Sequence, residues 1–370
     1  MTMADPKIAY NELPNLPSQL FNFDDPEILK KSLEVAQQMS ALNAVLRLDV
    51  SSIKHGLDML SPLYVPEAVM SSGVENIVTT NESVYEARVL DEGEISPQDK
   101  EVMRYVEALS EGFELLTKSG YLATNHYISM QKTLEPNKTG IRKLPGTTLS
   151  NRATKEVYYT PPDNEKTIRD LLKNLEDYFN EASPPHEVFA RAAIIHYQFE
   201  AIHPFHDGNG RTGRVLIPLY LTLHKAIDVP LLFVSRYILS HHAEYYERLR
   251  AVTYKNEWKE WVMYMLDAFS SQASYTLDVL ERIRSFRVKL EKRLDKTMGR
   301  TYARDIATFL YTHPFFIQSE FEGGLDVSYV TSRKYLQSLI DAKIVVRRKQ
   351  PGRNRYIYAC PEYITLLKKA

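Results

Sequence analysis

The segment His203-Pro204-Phe205-His206-Asp207-Gly208-Asn209-Gly210-Arg211-Thr212-Gly213-Arg214 holds an imidazole, a carboxylate, three glycines and two arginines. Arg211 and Arg214 lie three residues apart, on one face if this stretch is helical, and two guanidiniums so placed clamp phosphate oxygens through charge-assisted hydrogen bonds. Upstream, residues 188–202 carry Val188, Ala192, Ile195, Phe199 and Ile202 at steps of three and four, the period of a buried helix. Downstream, 215–226 is apolar enough for a second helix. The glycines therefore sit in a turn that feeds a helix N-terminus, where orphan N–H groups and the helix dipole favour an anion.

Two other chemistries use similar letters. Gly208-Asn-Gly210-Arg-Thr-Gly213, with Asp228 further on, spells a dinucleotide fingerprint. That fingerprint follows a buried strand, whereas a helical pattern and a polar run precede it here. A metal hydrolase would use His203, His206 and Asp207, but no HExxH or paired-cysteine spacing supplies the further ligands.

The run matches HxFx(D/E)GNGRxxR at every specified position and so resembles the core motif of the Fic family. The resemblance implies transfer of AMP from ATP to a Ser, Thr or Tyr hydroxyl of a protein. It assigns His203 as the base that accepts the hydroxyl proton, a role suited to a group titrating near neutrality. Asp207 would hold Mg²⁺, a hard cation on an oxygen ligand. Gly208, Asn209, Gly210, Arg211, Thr212, Gly213 and Arg214 would bind the nucleotide. Within that set, backbone N–H groups and the Asn209 amide would stabilise developing charge and the arginines would hold the β- and γ-phosphates. Phe205 reads as an anchor in the core.

Further segments extend the resemblance. Residues 66–77 carry Ser71, Glu75 and Asn76 in the pattern (S/T)xxxE(G/N), the family's inhibitory motif, whose glutamate pairs with the second motif arginine, Arg214 by position. The alternative is a capping box, Ser72-x-x-Glu75. The β-branched and aromatic stretch around Val157, Tyr158 and Tyr159, stopped by Pro161-Pro162, resembles the family's flap, a hairpin that pairs with the target backbone. Residues 235–249 resemble the helix beside the nucleotide base, with His241 where relatives often have Asn. Tyr245, Tyr246, Trp258 and Trp261 suit stacking on a base, but large aromatics at helical spacing read more readily as core, and His196 and His224 as satisfied histidines within helices.

The elements that must position these groups are mainly helical. Residues 1–27 read as an extended arm, 26–48, 101–116 and 121–130 as helices, and 286–300 as a charged helical connector. From 303 the pattern becomes helix (303–311), helix (328–342), then strands at 344–348 and 355–358 around Pro351-Gly352. This resembles a winged helix, with Thr331, Ser332, Arg333, Lys334, Arg347, Arg348, Lys349, Arg353 and Arg355 on its second helix and wing. The expected fold is thus a Fic-type helical core with a small hairpin flap, an N-terminal helical region and a C-terminal winged helix. The expected domains are 1–95, 96–285 and 286–370.

At 370 residues, 44% hydrophobic and 25% charged, with a net charge of −1, the chain has the composition of a soluble globular protein with no overall bias toward nucleic acid or anionic membrane. The one cysteine, Cys360, excludes an intrachain disulfide and suits a reducing cytosol, so a cytoplasmic protein is expected. No stretch approaches membrane-spanning length. The partners expected are ATP, a protein target including the chain itself, a second copy of the chain in a homodimer, and DNA through the winged helix. Two alternatives stay open: removal of AMP by the same site, and a nucleotide-sensing DNA-binding regulator.

Overall fold

The computed structural model describes residues 5–17, 21–49, 53–150, 154–350 and 352–368. Among them, in chain order, lie α1 (Pro26–Asp49), α2 (Ile53–Val74), α3 (Asn81–Ala87), a 3-10 turn (Glu92–Glu94), α4 (Pro97–Ser119) and α5 (Thr124–Leu134). The hairpin β1 (Leu149–Ser150) and β2 (Val157–Tyr159) follows, then α6 (Glu165–Asn180), α7 (Val188–Ile202), α8 (Asn209–Leu223), α9 (Val234–Ser240), α10 (His242–Lys255) and α11 (Trp258–Met298). Last come α12 (Arg300–Thr312), β3 (Phe315–Ile317), α13 (Gln318–Leu325), α14 (Tyr329–Asp341), β4 (Val346–Lys349), β5 (Tyr356–Ala359) and α15 (Pro361–Leu367). The fold is mainly helical with small antiparallel sheets, as expected.

The chain divides into two compact units, 1–43 with 107–274 and 44–106 with 275–370. The cuts fall inside α1, α4 and α11, and residues 44–106 group with the C-terminal segment. The expected connector at 286–300 is not a separate element, because most of it continues the 41-residue α11.

In the first unit α7 is the central rod. Every residue of it except Glu200 is buried, which is why its apolar residues run all round the helix. Trp261 donates its indole N–H to the Ala193 carbonyl at 2.8 Å, and Phe179 meets Tyr220 edge-on. Helix α8 packs against α7 and begins at Asn209, six residues before the expected start at 215. Of the three glycines in the expected turn only Gly208 turns the chain, with φ 78°. Gly213 lies within the helix for closeness: a Cβ there would come within 2.5 Å of Glu200 Oε1 and 3.2 Å of the Phe199 ring. The described part of the N-terminal arm is tied down by paired hydrogen bonds between Leu16 and the Asn174 amide, at 2.7 and 2.9 Å.

In the second unit a three-stranded antiparallel sheet has the order β3-β5-β4. β3 and α13 are additional to the expected helix, helix, strand, strand. A three-residue strand is too short to show alternation, and Gly323-Gly324 masks the helix. Gly324 is there because the Phe309 ring lies 2.6 Å from where its Cβ would stand. The wing is ion-paired: Arg348 with Glu86, Arg353 and Arg355 with Asp91, while the Gln350 amide donates to Glu94 at 2.6 Å.

The expected inhibitory residues sit at the end of α2. Ser71 is fully buried, the helix closes at Val74, Glu75 follows it half-buried, and Asn76 is exposed in the left-handed region. The capping-box alternative fails, because Ser72 and Glu75 end a helix rather than begin one. The next helix is capped by Thr80, whose hydroxyl accepts the Ser83 N–H.

Candidate active site

His203 follows the last residue of α7 and adopts φ 47°, ψ 59°, a left-handed cap that turns its half-buried side chain out of the helix line. The loop after it is fixed from two directions. Phe205 is fully buried against Phe199, and its backbone N–H and C=O are both bonded to the Asn209 side chain at 2.8 Å. The Asn209 amide thus shapes the loop from within.

Arg142 supplies the second support, with no signal in its sequence surroundings that marks it. Its side chain is 1% exposed and donates from Nε to the His203 carbonyl at 2.8 Å and from Nη2 to the carbonyls of Ile202 and Pro162. Its backbone N–H meets the Pro204 carbonyl at 2.9 Å, and Ile141 bridges Phe205. The guanidinium thus takes up carbonyls that the end of α7 leaves without helical partners. Burial lowers its pKa, against the raising influence of Tyr159 and Asp163.

Helix α8 then points its first turn at the loop. Gly208 is the N-cap and its N–H is bonded to Asp207 Oδ1 at 2.9 Å; its carbonyl accepts from both the backbone and the hydroxyl of Thr212. Arg211 and Arg214 are 2% and 1% exposed, so the expected pair of cations lies sunk beneath the helix start rather than on the surface. Arg211 pairs with Glu135 Oε1 at 2.5 Å. Asp207 Oδ2 meets Lys138 Nζ at 2.6 Å. Partial burial pushes the Asp207 carboxyl upward in pKa, but Lys138, the Gly208 N–H and Arg211 together outweigh it and hold the group below its ordinary value.

The hairpin lies beside the end of α7. Leu149 pairs with Tyr159 and Ser150 with Val157; the turn residues 151–153 lie outside the described residues. Of the three expected flap residues, Tyr159 is buried and donates its hydroxyl to the Ala201 carbonyl at 2.7 Å, so it anchors the hairpin. Val157 and Tyr158 are half-buried, and the Tyr158 carbonyl accepts from the Tyr254 hydroxyl. Between the hairpin and α10 runs a small, mostly apolar cleft floored by Ala201 and lined by Tyr158, Tyr246, Leu249, Arg250 and Thr253.

Tyr246 thus lines the cleft, with its ring edge-on to that of Tyr245 at 5.0 Å, whereas Tyr245, Trp258 and Trp261 are all core. His241 does not line that cleft. It is exposed at the junction of α9 and α10, stacked on Tyr237, with Nδ1 near the Tyr237 carbonyl and the Ser240 hydroxyl. His196 is buried with Nε2 against the Tyr245 hydroxyl at 2.9 Å, and His224 lies 3.0 Å from the Phe179 carbonyl. Among the described residues no three His, Cys, Asp or Glu side chains converge as a metal cage, and no helix is long and apolar enough to cross a membrane.

Comparison with known proteins agrees with this arrangement. The Fic/DOC family model matches residues 116–221, and the Fic/DOC family N-terminal model matches 30–114. Protein adenylyltransferase fic-1 of Caenorhabditis briggsae is 27% identical over 162 residues, 43% of this chain and 31% of that protein. A probable protein adenylyltransferase of Aquifex aeolicus is 34% identical over 80 residues, 22% of each. The chain thus spans less than a third of the length of these curated relatives. A Fic family protein from Desulfovibrio desulfuricans superposes with a TM-score of 0.59 at 18% identity, over 93% of this chain and 98% of that one. Residues 134–508 of Fic-1 from Caenorhabditis elegans superpose with a TM-score of 0.51 at 20% identity, over 69% and 72%. With the motif His203 to Arg214 on the loop and helix start where an anion site requires it, the chain belongs to the Fic/DOC family.

Proposed function

We propose that the chain is a protein adenylyltransferase, which moves AMP from ATP to a Ser, Thr or Tyr hydroxyl of a protein target, itself included, and which Glu75 restrains. The observation that carries this reading is His203 on the loop that feeds the start of α8, with Arg211 and Arg214 buried in the first turns of that helix. Relatives named as adenylyltransferases favour transfer over removal of AMP.

In this reading His203 takes the proton of the target hydroxyl as its oxygen bonds to the α-phosphorus, and pyrophosphate leaves with the displaced electron pair. The first-turn N–H groups of α8 and the two arginines hold the leaving phosphates. Asp207, a lone and partly exposed carboxylate, fits Mg²⁺, which binds proteins through one or two carboxylates and takes its other oxygens from phosphate and water. Bound there, the ion supplies neutralisation of phosphate charge. We assign the adenine to the cleft of Tyr158, Tyr246 and Leu249, which adjoins Ala201 two residues before His203, rather than to His241. The order helix, strand, helix, helix, strand, strand from α12 to β5 supports a winged helix. Three of its wing arginines, Arg348, Arg353 and Arg355, are already paired with Glu86 and Asp91, which supports a packing role for the wing over contact with duplex DNA.

The test is transfer of label from ATP carrying ³²P at the α-phosphate. The Glu75→Gly variant is expected to label itself faster than wild type, and an equal rate would remove the restraint. Adding His203→Ala to that variant should lower labelling by at least about 100-fold with ATP binding retained; persistent labelling would overturn the assignment of the base.

A further inference from the structure

The two charged groups that this function places on ATP and its cation already have partners from one short loop. Residues 135–140 follow α5, and the loop is held to the site by Gln131, fully buried, whose Nε2 donates to the carbonyls of Lys138 at 2.9 Å and Asp207 at 3.1 Å. Gln131 Oε1 accepts the Gly140 N–H at 3.1 Å, closing the loop into a fixed arch. That arch sets Lys138 Nζ on Asp207 Oδ2 and Glu135 Oε1 on Arg211. Glu135 also covers the N-cap of α8, since a Cβ on Gly208 would lie 3.2 Å from Glu135 Cγ. A carboxylate over a helix N-terminus and an ammonium on a carboxylate occupy the two positions a phosphate and a divalent cation would take.

We infer that Glu135 and Lys138 are resident counter-ions of the nucleotide and metal positions, a pair that ATP and its cation must displace together. The inference rests on the reading of Asp207 as metal ligand and of Arg211 as phosphate ligand. Its consequence is selectivity for the metal–nucleotide complex. Free triphosphate displaces Glu135 but leaves Lys138 on Asp207 as an extra cation for its own charge. A free divalent cation meets Lys138 with nothing to compensate its removal. The complex delivers a negative charge to Arg211 and a positive one to Asp207 in one event, so metal and nucleotide bind with positive coupling, each raising the affinity of the other by the same factor.

The effects differ in size because the pairs differ in burial. Lys138 and Asp207 are 57% and 42% exposed, so their attraction is screened, whereas Arg211 is 3% exposed. Titration of the whole chain with Mn²⁺, read by loss of the free-ion electron paramagnetic resonance signal, and calorimetry with the β,γ-imido analogue of ATP measure the two affinities separately and together. Lys138→Met should tighten Mn²⁺ about threefold. Glu135→Gln should tighten the analogue about tenfold in the absence of metal. In both variants the coupling between Mn²⁺ and analogue should shrink. Weaker Mn²⁺ binding in Lys138→Met, or weaker analogue binding in Glu135→Gln, would overturn the inference, because it would make that side chain a contact or support of the ligand instead of a competitor. Should Glu135→Gln melt early, Lys138→Met alone, at an exposed site, decides the sign. Asp207→Asn is read in parallel: unchanged Mn²⁺ binding there removes the metal assignment itself, an outcome distinct from a wrong sign at Lys138.

Discussion

Two arginine clusters invite the same reading from sequence and differ in the folded chain. Arg211 and Arg214 at the start of α8 are almost wholly buried, and the Glu135 carboxylate meets Arg211 from outside the helix. Arg348, Arg353 and Arg355 on the wing are 54%, 51% and 32% exposed and pair with Glu86 and Asp91 across a solvated surface. Buried guanidiniums feel a low dielectric and act strongly on whatever enters; exposed pairs are screened and contribute little. Clustered basic residues in a sequence therefore predict ligand binding only where the fold removes water from them.

The comparison breaks most visibly at another buried arginine, Arg142. Arg142→Met leaves the carbonyls of Ile202, His203 and Pro162 without their shared donor, so urea unfolding should show a loss of about 3 kcal/mol. A loss under about 1 kcal/mol would mean water replaces the guanidinium freely. A smaller effect comes through His196, whose pKa is lowered to about 3, first by burial and then by Arg214. The folded state keeps this imidazole neutral while the unfolded chain titrates near its ordinary value. Stability from it is therefore complete above about pH 6.5 and falls with acidification, by about 2 kcal/mol between pH 6.5 and 5. Unfolding curves of wild type and His196→Phe at those two pH values should differ in slope by that amount, and parallel curves would sink the assignment. The least effect belongs to the wing: Arg353→Ala should change stability by less than about 1 kcal/mol, and a larger loss in thermal unfolding would place that pair with the buried ones.

Much of the site was legible because it is contiguous. Twelve residues of sequence contain the imidazole, the carboxylate and both arginines, and the helix before them is apolar almost throughout. What could not be read was contributed from elsewhere in the chain. Arg142 looks like a solvated residue among Lys143 and other loop residues until three carbonyls from 162 to 203 converge on it. The Asn209 side chain closes on the backbone of Phe205, a contact that only the turn geometry reveals. Helix α8 starts six residues before its apolar pattern does because Gly210 and Gly213 lie inside it, and Gly213 admits the close approach of Glu200 and Phe199. The aromatic residues of α10 separate by helical phase, Tyr245 inward and Tyr246 toward the cleft, which spacing alone leaves open.

The left-handed backbone at His203 bears on how the base should be removed. A β-carbon at φ 47° is costly for most residues, but His and Asn are among the side chains found there most often. Asparagine at 203 would keep the bend while deleting the imidazole, whereas alanine changes conformational preference and chemistry at once. Comparing the two substitutions separates a lost proton acceptor from a relaxed hinge.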